Sequence, residues 1–437
     1  MDWWVGLIIL FGAFLFLLVL GVRIAFGFLL ISAAGMYYIF NGELGLYLLI
    51  RSLFSSVATF TLLPLPLFIL MGELLFRGNL AQPALDTIDK WLGRMPGRLA
   101  LLAVAGGVML SVMTGASIAS TALLGSTLVP DMIQRGYKKS MTMGPILGSG
   151  TLAAMIPPTA LGVTLAAIAE VSVGKVLLAI IVPGILMAGM YAAYIIIRCA
   201  LQPSLAPSYD VAQVPLRDRL SSVAKYVLPL GIVVLFVIGF MFLGVATPTE
   251  AAATGVVGSL LLLAFQRAFN RKVLSASMRA TVEVGGAIFI IIGTASAFSQ
   301  VLAGMGATKG LIGFVTGLNV APLFVIILMM TAVLLLGCFM DPVSIMLITL
   351  PIFMPLVSSL GFDPVWFAVI MLMNIEVATV SPPFGLALFV MKSVSPSDIT
   401  MGDVYKAALP FIGLIMLSMA IVIAFPSLAL FLPSVIR

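Results

Sequence analysis

Histidine is absent from the 437 residues, and only two cysteines occur, Cys199 and Cys338. Without histidine the chain lacks the commonest general base and metal ligand. The two cysteines are far apart in sequence and form no CxxC motif, so the sequence indicates neither a disulfide framework nor a metal site. The phosphate-binding patterns GxxxxGK[ST] and GxGxxG are also missing, which argues against direct use of ATP.

Charge is scarce as well, and the apolar content is high. Charged residues make up 9% of the chain and hydrophobic residues 62%, whereas a soluble domain has about 25% charged residues. Long apolar runs at 5–20, 176–197, 227–242 and 411–425 are close to the length that crosses a bilayer. They do not alternate as barrel strands would. The sequence therefore predicts an all-α polytopic membrane protein. Asp2 stands where a signal peptide would be basic, so we expect the first helix to be retained.

Thirteen of the 22 basic residues lie in four short segments between apolar runs. They are Lys90, Arg94 and Arg98; Arg135, Lys138 and Lys139; Arg217, Arg219 and Lys225; and Arg267, Arg271, Lys272 and Arg279. The positive-inside bias places these segments in the cytoplasm. The net charge of +6 is thus explained by loops facing an anionic leaflet, and no nucleic-acid partner is expected.

The chain contains a weak internal repeat with an offset of about 225 residues. SGTLAAMIPPTAL at 149–161 corresponds to NIEVATVSPPFGL at 374–386, and each follows another interrupted apolar stretch. The first such stretch, 99–132, has basic residues on both flanks, whereas the second, 320–360, lies where no Lys or Arg occurs between 310 and 391. We therefore expect inverted repeats with two re-entrant helical hairpins that enter from opposite faces, together with broken helices, as in many secondary transporters.

This organisation predicts five regions. Residues 1–98 are expected to form scaffold helices and an interfacial arm helix, and 99–200 the first transport half, with hairpin 99–132 and a broken helix near 149–160. Residues 201–300 should form a cytoplasmic linker, scaffold helices and the start of the second repeat. Residues 301–400 should form the second transport half, with hairpin 320–360 and a broken helix near 374–386, and 401–437 a C-terminal transmembrane helix. Segment 78–98 is amphipathic, which fits either a helix lying at the membrane interface or a plain cytoplasmic connector.

Two proline pairs, at 157–158 and 382–383, are the most informative positions. Proline removes a backbone donor and disfavours helix in the preceding residue, so a pair must break a membrane helix. The freed backbone groups need protein, water or an ion as partners. Single membrane prolines are often simple kinks, but two pairs at matching positions favour a binding site. Its candidate substrate-binding residues are Ser149, Gly150, Thr151, Thr159, Ser381 and Pro382.

Asp341 precedes Pro342 near the tip of the second hairpin. An Asp-Pro pair is typical of a helix start, with aspartate as the cap. However, an ionised aspartate near the bilayer centre costs about 2.5–3.5 kcal/mol, and Ser or Asn would cap at lower cost. A bound cation, such as Na⁺ with oxygen ligands, and protonation of Asp341 are the two explanations that remain open.

Two of three further glutamates have a simple structural explanation, and the third has none. Glu250 in the run TPTE forms a predicted capping box, and Glu73 can pair with Arg77 one helical turn later. Glu376 lies in the predicted second break and stays undecided.

Four segments together resemble the large (M) subunit of tripartite ATP-independent periplasmic (TRAP) transporters. They are GSGTLAAMIPPT at 148–159, ATPTEAAA at 246–253, GCFMDPVSI at 337–345 and TVSPPFG at 379–385. The resemblance extends over essentially the whole chain. It implies an elevator-type carrier with two Na⁺ sites in a bacterial inner membrane. Implied partners are a small four-helix membrane (Q) subunit, expected as a separate chain, and a periplasmic substrate-binding (P) protein.

The resemblance also assigns ligands and substrates. Sodium ligands are expected around Ser111, Thr114, Ser149 and Gly150 for the first site, and around Gly337, Asp341, Asn374 and Thr379 for the second. Substrates of the family are carboxylates. Sialic acid is the leading candidate here and a C4-dicarboxylate the next.

Other functions are weaker alternatives. A one-component Na⁺ or H⁺ symporter of an organic or inorganic anion would use the same hairpins without a binding protein. A channel would pass substrate without sodium dependence or saturation. An intramembrane enzyme is disfavoured by the lack of histidine and of a paired-carboxylate motif, although a Ser/Lys or aspartyl site stays open.

The opposed orientation of the repeats leads to a labelling prediction. Because Lys139 lies in a basic segment and Asp363 follows the second hairpin, we expect Lys139 to react with an impermeant reagent from the cytoplasmic side. A cysteine at Asp363 should react from the periplasmic side. Side-specific labelling of intact cells and inverted vesicles measures both, and modification of the two positions from one side would refute the inverted arrangement.

Overall fold

The computed structural model describes residues 2–93, 95–207, 214–318 and 320–435. Arg94, one of the basic residues noted above, lies outside these ranges. Within them the secondary structure is helical, and no strand occurs. The all-α prediction is therefore confirmed.

Twenty-two α-helices follow one another in the described chain. The first five are α1 (Trp3–Val19), α2 (Ile24–Ile39), α3 (Glu43–Val57), α4 (Pro64–Arg77) and α5 (Ala81–Leu92). The next six are α6 (Arg98–Thr114), α7 (Ser117–Gln134), α8 (Lys139–Met155), α9 (Ala160–Ile168), α10 (Val173–Ala179) and α11 (Ile181–Leu201). Then come α12 (Leu216–Ser222), α13 (Leu228–Phe242), α14 (Pro248–Phe265), α15 (Arg271–Gly304) and α16 (Ala307–Gly317). The last six are α17 (Pro322–Gly337), α18 (Pro342–Ser359), α19 (Pro364–Thr379), α20 (Leu386–Ser393), α21 (Met401–Ala424) and α22 (Ser427–Val435).

Local sequence signals start several of these helices. Proline occupies the first helical position of α14, α17, α18 and α19, where its missing N–H costs nothing. At α14 the predicted capping box is confirmed, since Thr247 and Glu250 accept each other's backbone N–H groups. The predicted Glu73–Arg77 pair is also confirmed, with Arg77 Nε 2.6 Å from Glu73 Oε2.

Seven helical segments in the described residues are long and apolar enough to cross a membrane, and α8 with α9 forms an eighth if this bent pair counts as one span. The α8–α9 axis bends by 49° at the first proline pair. Shorter apolar helices such as α6, α17 and α19 are the arms of hairpins and broken helices. Interrupted and continuous membrane helices therefore both occur among the described residues.

Each repeat contains a hairpin followed by a broken helix. In the first, α6 and α7 are the hairpin arms, and α8 and α9 flank the break at 156–159. In the second, α17 and α18 are the arms, and α19 and α20 flank the break at 380–385. In both repeats the first hairpin arm packs against the first half of the broken helix, α6 on α8 and α17 on α19. The two units therefore share one local architecture.

The repeats also exchange contacts with each other. The second half of each broken helix packs on the second hairpin arm of the other repeat, α9 on α18 and α20 on α7. The first halves, α8 and α19, pack together between them. Residues at both breaks, Ile156 and Val380, consequently belong to or pack against one large apolar core.

A second group of helices stands beside this core. The 34-residue helix α15 packs along α2, α3 and α4, and a separate apolar cluster joins α1, α2, α3 and α15. The predicted region boundary at 300 falls inside α15. The amphipathic arm is shorter than 78–98, since α5 begins at Ala81 and ends at Leu92. The region 401–437 contains two helices, α21 and α22, where one was predicted.

Candidate functional site

The tip of the first hairpin is a two-residue turn, Gly115 and Ala116, between α6 and α7. Gly115 has φ +57°, in the left-handed region where a side chain is unfavourable. A Cβ there would also lie 3.0 Å from the amide nitrogen of Ala160, the first residue of α9. Glycine thus allows the hairpin tip to touch the first break.

The candidate residues Ser149, Gly150 and Thr151 lie in the last two turns of α8, before the break at 156–159. All three are buried. The hydroxyls of Ser149 and Thr151 donate to carbonyls of their own helix, those of Pro145 and Gly148. The break thus starts later than the sequence predicted, and these residues approach the site as part of a helix face.

Close helix packing brings these residues to the first hairpin. A Cβ on Gly107 of α6 would be 2.6 Å from the carbonyl oxygen of Ser149. A Cβ on Gly150 would overlap the hydroxyl of Thr121 on α7 and lie 3.1 Å from the Ser117 carbonyl oxygen. Ser149 and Gly150 therefore contact both arms of the hairpin.

The other members of the predicted first sodium site lie at the end of α6. Ser111 Oγ donates to the Val108 carbonyl at 2.5 Å, and Thr114 Oγ1 is 2.8 Å from Ser120 Oγ across the tip. Thr159, in the break, is fully buried, and its hydroxyl has no hydrogen-bond partner among the described residues. This part of the structure therefore collects hydroxyl and carbonyl oxygens in one buried place.

At the second hairpin, Asp341 caps α18. Its carboxylate accepts the Ser344 backbone N–H at 3.2 Å and also the Ser344 hydroxyl. The capping role considered from the sequence is therefore present. A carboxylate has about four lone-pair directions, so this cap leaves acceptor capacity on both oxygens. The capping geometry is compatible both with a cation bound at Asp341 and with protonation of Asp341.

Two of the remaining members of the predicted second site, Asn374 and Gly337, lie where α17 packs on α19. Asn374 Nδ2 donates to the Met330 carbonyl of α17 at 2.6 Å, and Thr379 Oγ1 donates to the Glu376 carbonyl at 2.9 Å. A Cβ on Gly337 would overlap the side chain of Ala378. Asn374 and Thr379 lie within α19, since the second break covers only 380–385.

The second break is more open than the first. Pro382 is half-buried, whereas Pro383 and Phe384 are exposed, and Phe384 lies 5.7 Å from the exposed ring of Phe339 at the hairpin tip. Tyr405 of α21 donates its hydroxyl to the Pro383 carbonyl at 2.7 Å. Sequence reasoning missed Tyr405, because nothing in its local pattern links it to a break 22 residues away.

Ser381 is buried, and its hydroxyl donates to the Val377 carbonyl at 2.7 Å. The structure thus places Thr159 and Ser381, the candidate hydroxyls, at the first and second breaks respectively. The breaks belong to one packed unit, because α9 also contacts α19 and α20 contacts α8.

Glu376 is the functional candidate that the sequence left undecided. It lies inside α19 and not in the break, is fully buried, and accepts a hydrogen bond from Ser117 Oγ of the first hairpin at 2.6 Å. This contact joins the two repeats. The only signal in the sequence was an acidic residue in an apolar run.

A cavity of about 710 Å³ lies between α3 and α15 on one side and α9 and α18 on the other. Much of its wall is uncharged and polar, including Ser55, Thr59, Ser296, Ser299 and Gln300. None of the predicted substrate or sodium residues lines it. The cavity therefore lies beside the contact of α15 with α9 and α18 and is not the predicted site itself.

The interrupted helices and paired breaks agree with the result of a family comparison. A family model described as "Tripartite ATP-independent periplasmic transporter, DctM component" matches residues 11–428. The chain belongs to this family.

Two curated relatives support this membership. The C4-dicarboxylate TRAP transporter large permease protein DctM of Pseudomonas aeruginosa is 33% identical over 389 residues, covering 87% of this chain and 88% of its own. The ectoine TRAP transporter large permease protein TeaC of Halomonas elongata is 28% identical over 418 residues, covering 95% and 96%. The resemblance to TRAP large subunits is therefore confirmed, and the chain is a multi-pass membrane protein of a transporter family. The sialic acid branch stays a prediction.

A solved structure of another transporter shares the fold. The crystal structure of the Alcanivorax borkumensis YdaH transporter matches with a TM-score of 0.63 at 15% identity, covering 89% of this chain and 91% of that one. At this identity the comparison concerns the fold alone.

The tight contact at Gly337 leads to a testable prediction about the predicted second sodium site. Gly337→Ala places a methyl group against Ala378, so α17 and α19 must separate. Overpacking of this kind typically costs about 1–3 kcal/mol. We expect a lower unfolding temperature in detergent and reduced uptake in proteoliposomes.

Two further variants test this explanation. Gly337→Ala combined with Ala378→Gly restores the space and should recover most of the stability. Gly413→Ala is the control, since a Cβ at Gly413 in α21 meets no atom within 4 Å. If Gly337→Ala is as stable as Gly413→Ala, the close approach of α17 and α19 is wrong.

Proposed function

We propose that the protein is the large subunit of a sodium-coupled secondary transporter that imports a small organic acid. The proposal that the coupling ion is Na⁺ rests mainly on Asp341. This residue is a carboxylate at a hairpin tip in a segment, 310–391, that contains no Lys or Arg to neutralise it. Na⁺ is a hard cation that suits carboxylate, hydroxyl and carbonyl oxygens. Its inward movement supplies about 2.3 kcal/mol per charge per 100 mV.

The proposed sodium ligands are those implied by the family resemblance. They are Ser111, Thr114, Ser149 and Gly150 at the first hairpin, and Gly337, Asp341, Asn374 and Thr379 at the second. Their support is that they lie on the two hairpins or on α8 and α19, the helix halves that pack against them. Many of their side-chain oxygens already bond to carbonyls of their own helices, so we expect backbone carbonyls freed near the tips to supply further ligands.

The proposed substrate site lies between the breaks, at Thr159, Ser381 and Pro382, with Ser149, Gly150 and Thr151 behind it. The helices α9 and α20 begin directly after the breaks. Their N-terminal amides carry partial positive charge. An organic carboxylate is therefore favoured there without an arginine in the membrane interior.

The proposed mechanism is of the elevator type. The two repeats pack through α8 with α19, α9 with α18 and α7 with α20, which suits movement as one body. The cavity of about 710 Å³ between this body and α3 with α15 provides space along which such a body can slide. Many side chains on its wall are small and polar, so water rather than lipid is the expected filling.

A carboxylate is the substrate class that we propose. The Pseudomonas aeruginosa relative is named for C4-dicarboxylates and the Halomonas elongata relative for ectoine. The former favours a C4-dicarboxylate over sialic acid, the leading candidate from the resemblance. Uptake of each compound, in competition with the other, decides between them.

The proposed partners are a small four-helix membrane (Q) subunit and a periplasmic (P) binding protein in a bacterial inner membrane. Large apolar side chains are exposed on α1, α2 and α3, among them Phe16, Tyr38 and Phe54. Lipid or a membrane subunit is the environment that suits such a surface.

One experiment separates the three-component system from a one-component symporter. Proteoliposomes with this chain and its Q subunit are assayed for uptake under a sodium gradient, with and without the binding protein. We expect uptake only when the binding protein and the gradient are both present. Equal uptake without the binding protein supports the one-component alternative, and uptake without sodium dependence contradicts the proposal.

Asp341→Asn tests the charge of Asp341 apart from its capping role. Asparagine caps a helix about as well as aspartate, whereas alanine costs about 1 kcal/mol. We expect Asp341→Asn to fold normally in detergent but to lose sodium-driven uptake, because the neutral amide binds Na⁺ poorly. Asp341→Ala should lose uptake as well.

Asp363→Asn is the matched control. Asp363 also precedes a proline and caps its helix, accepting the N–H groups of Val365 and Trp366 at 2.7 and 3.1 Å. Uptake should survive this change. Normal sodium dependence in Asp341→Asn would show that Asp341 only caps α18. Wild-type uptake that is driven by a pH gradient and lost in Asp341→Asn would favour the protonation explanation.

A further inference from the structure

The contact between Glu376 and Ser117 connects two elements that are far apart in the chain and belong to different repeats. Ser117 Oγ donates to Glu376 Oε2 at 2.6 Å, and the exposed fractions of the two residues are 3% and 0%. A hydrogen bond to a carboxyl group is among the stronger ones in proteins. At such burial, water does not compete for it.

Ser117 is the first residue of α7, directly after the hairpin tip. The preceding residue, Ala116, occupies the cap position and has no side-chain oxygen, so α7 begins without a side-chain cap of its own. In the second hairpin Asp341 caps α18 from within the same hairpin. Glu376 instead supplies an acceptor oxygen to the first residue of α7 from the other repeat.

The repeat itself shows that this contact is specific to Glu376. In the alignment of 149–161 with 374–386, Glu376 corresponds to Thr151. Thr151 bonds within its own repeat, its hydroxyl lying 3.0 Å from that of Tyr191. Glu376 instead reaches across to the opposite hairpin. The two otherwise similar units therefore differ at this position.

The hairpin tip that Glu376 holds is the one that touches the first break. Gly115 lies against Ala160 and Thr159, and Thr114 bonds Ser120 across the tip. Displacing α7 therefore moves the tip relative to the break. The second carboxyl oxygen, Oε1, is buried and has no hydrogen-bond partner among the described residues.

We propose that Glu376 is a positioning residue that fixes the tip of the first hairpin against α19. The proposed binding residues of the two repeats are thereby kept in fixed positions relative to each other. This inference rests on the proposed transport function, because it explains how the binding residues that the two repeats contribute keep their relative positions. The interaction that matters is the hydrogen bond accepted from Ser117.

The test compares Glu376→Ala, Glu376→Gln, Ser117→Ala and the double variant Ser117→Ala/Glu376→Ala. Without the bond the tip is freed, so we expect the substrate KM to rise about five- to tenfold while kcat changes less. The double variant should resemble the single alanine variants, because both remove the same interaction. Glu376→Gln should stay near wild type, since the amide oxygen still accepts the Ser117 hydroxyl.

A second measurement does not depend on transport. Ala116 at the tip is partly exposed, and Ala116→Cys in a background without other cysteines reports tip mobility through its rate of maleimide modification in detergent. We expect about five- to tenfold faster modification in Glu376→Ala and Ser117→Ala, and an unchanged rate in Glu376→Gln. Ser259→Ala is the control, since that buried hydroxyl donates only to Gly255 of its own helix at 2.8 Å.

The outcomes separate the possibilities. Additive effects of the two alanine substitutions, or a Glu376→Gln variant as impaired as Glu376→Ala, would overturn the proposal. The latter result would mean that the charge is needed and not the hydrogen bond. If the wild-type protein shows no sodium-dependent uptake, the proposed function fails, and the modification rates alone still decide whether Glu376 positions the tip.

Discussion

Backbone amides and carbonyls inside a bilayer need partners, and this chain interrupts its helices at four places within its apolar segments. Two are hairpin tips and two are breaks at proline pairs. Lipid satisfies none of the freed groups. The fold responds by packing the interruptions against protein, with Gly115 of one tip on Ala160 after one break, and Tyr405 bonded to the Pro383 carbonyl of the other. The architecture of the two repeats follows from this requirement.

The two repeats meet the requirement with different side chains. In the second hairpin Asp341 caps α18 from within the hairpin, whereas α7 begins after an alanine and receives a carboxylate from Glu376. The first break is buried, while Pro383 and Phe384 in the second are exposed. Similar backbones thus carry different environments. The first break thus lies deeper in the protein than the second.

Close helix contacts depend on glycine at several of these places. Gly107 and Gly150 allow α6 and α7 to reach α8, and Gly337 allows α17 to reach α19. Small residues are typical of membrane helix interfaces, because apolar surface alone drives little association in lipid. The hydroxyls and carbonyls near each contact are thereby brought against the neighbouring helix.

Much of the candidate site was predictable because its signals are local. The proline pairs, the Asp341-Pro342 helix start and the capping box at Thr247 each act within a few residues. The limits of the broken helices were less accurate, and Ser149, Gly150, Asn374 and Glu376 proved to be helical. Proline disfavours helix only in its immediate neighbourhood, so the helix continues nearly up to the pair.

The sequence by itself determined that the chain is helical and lives in lipid, that it contains two related units, and which residue types interrupt its helices. These properties depend on composition and on contacts along the chain. Only the tertiary structure decided that α9 packs on α18 and α20 on α7, that Tyr405 reaches the second break, and that Ser117 bonds Glu376. Such pairings depend on how the two units dock, and no local pattern encodes which distant side chain will satisfy a buried polar group.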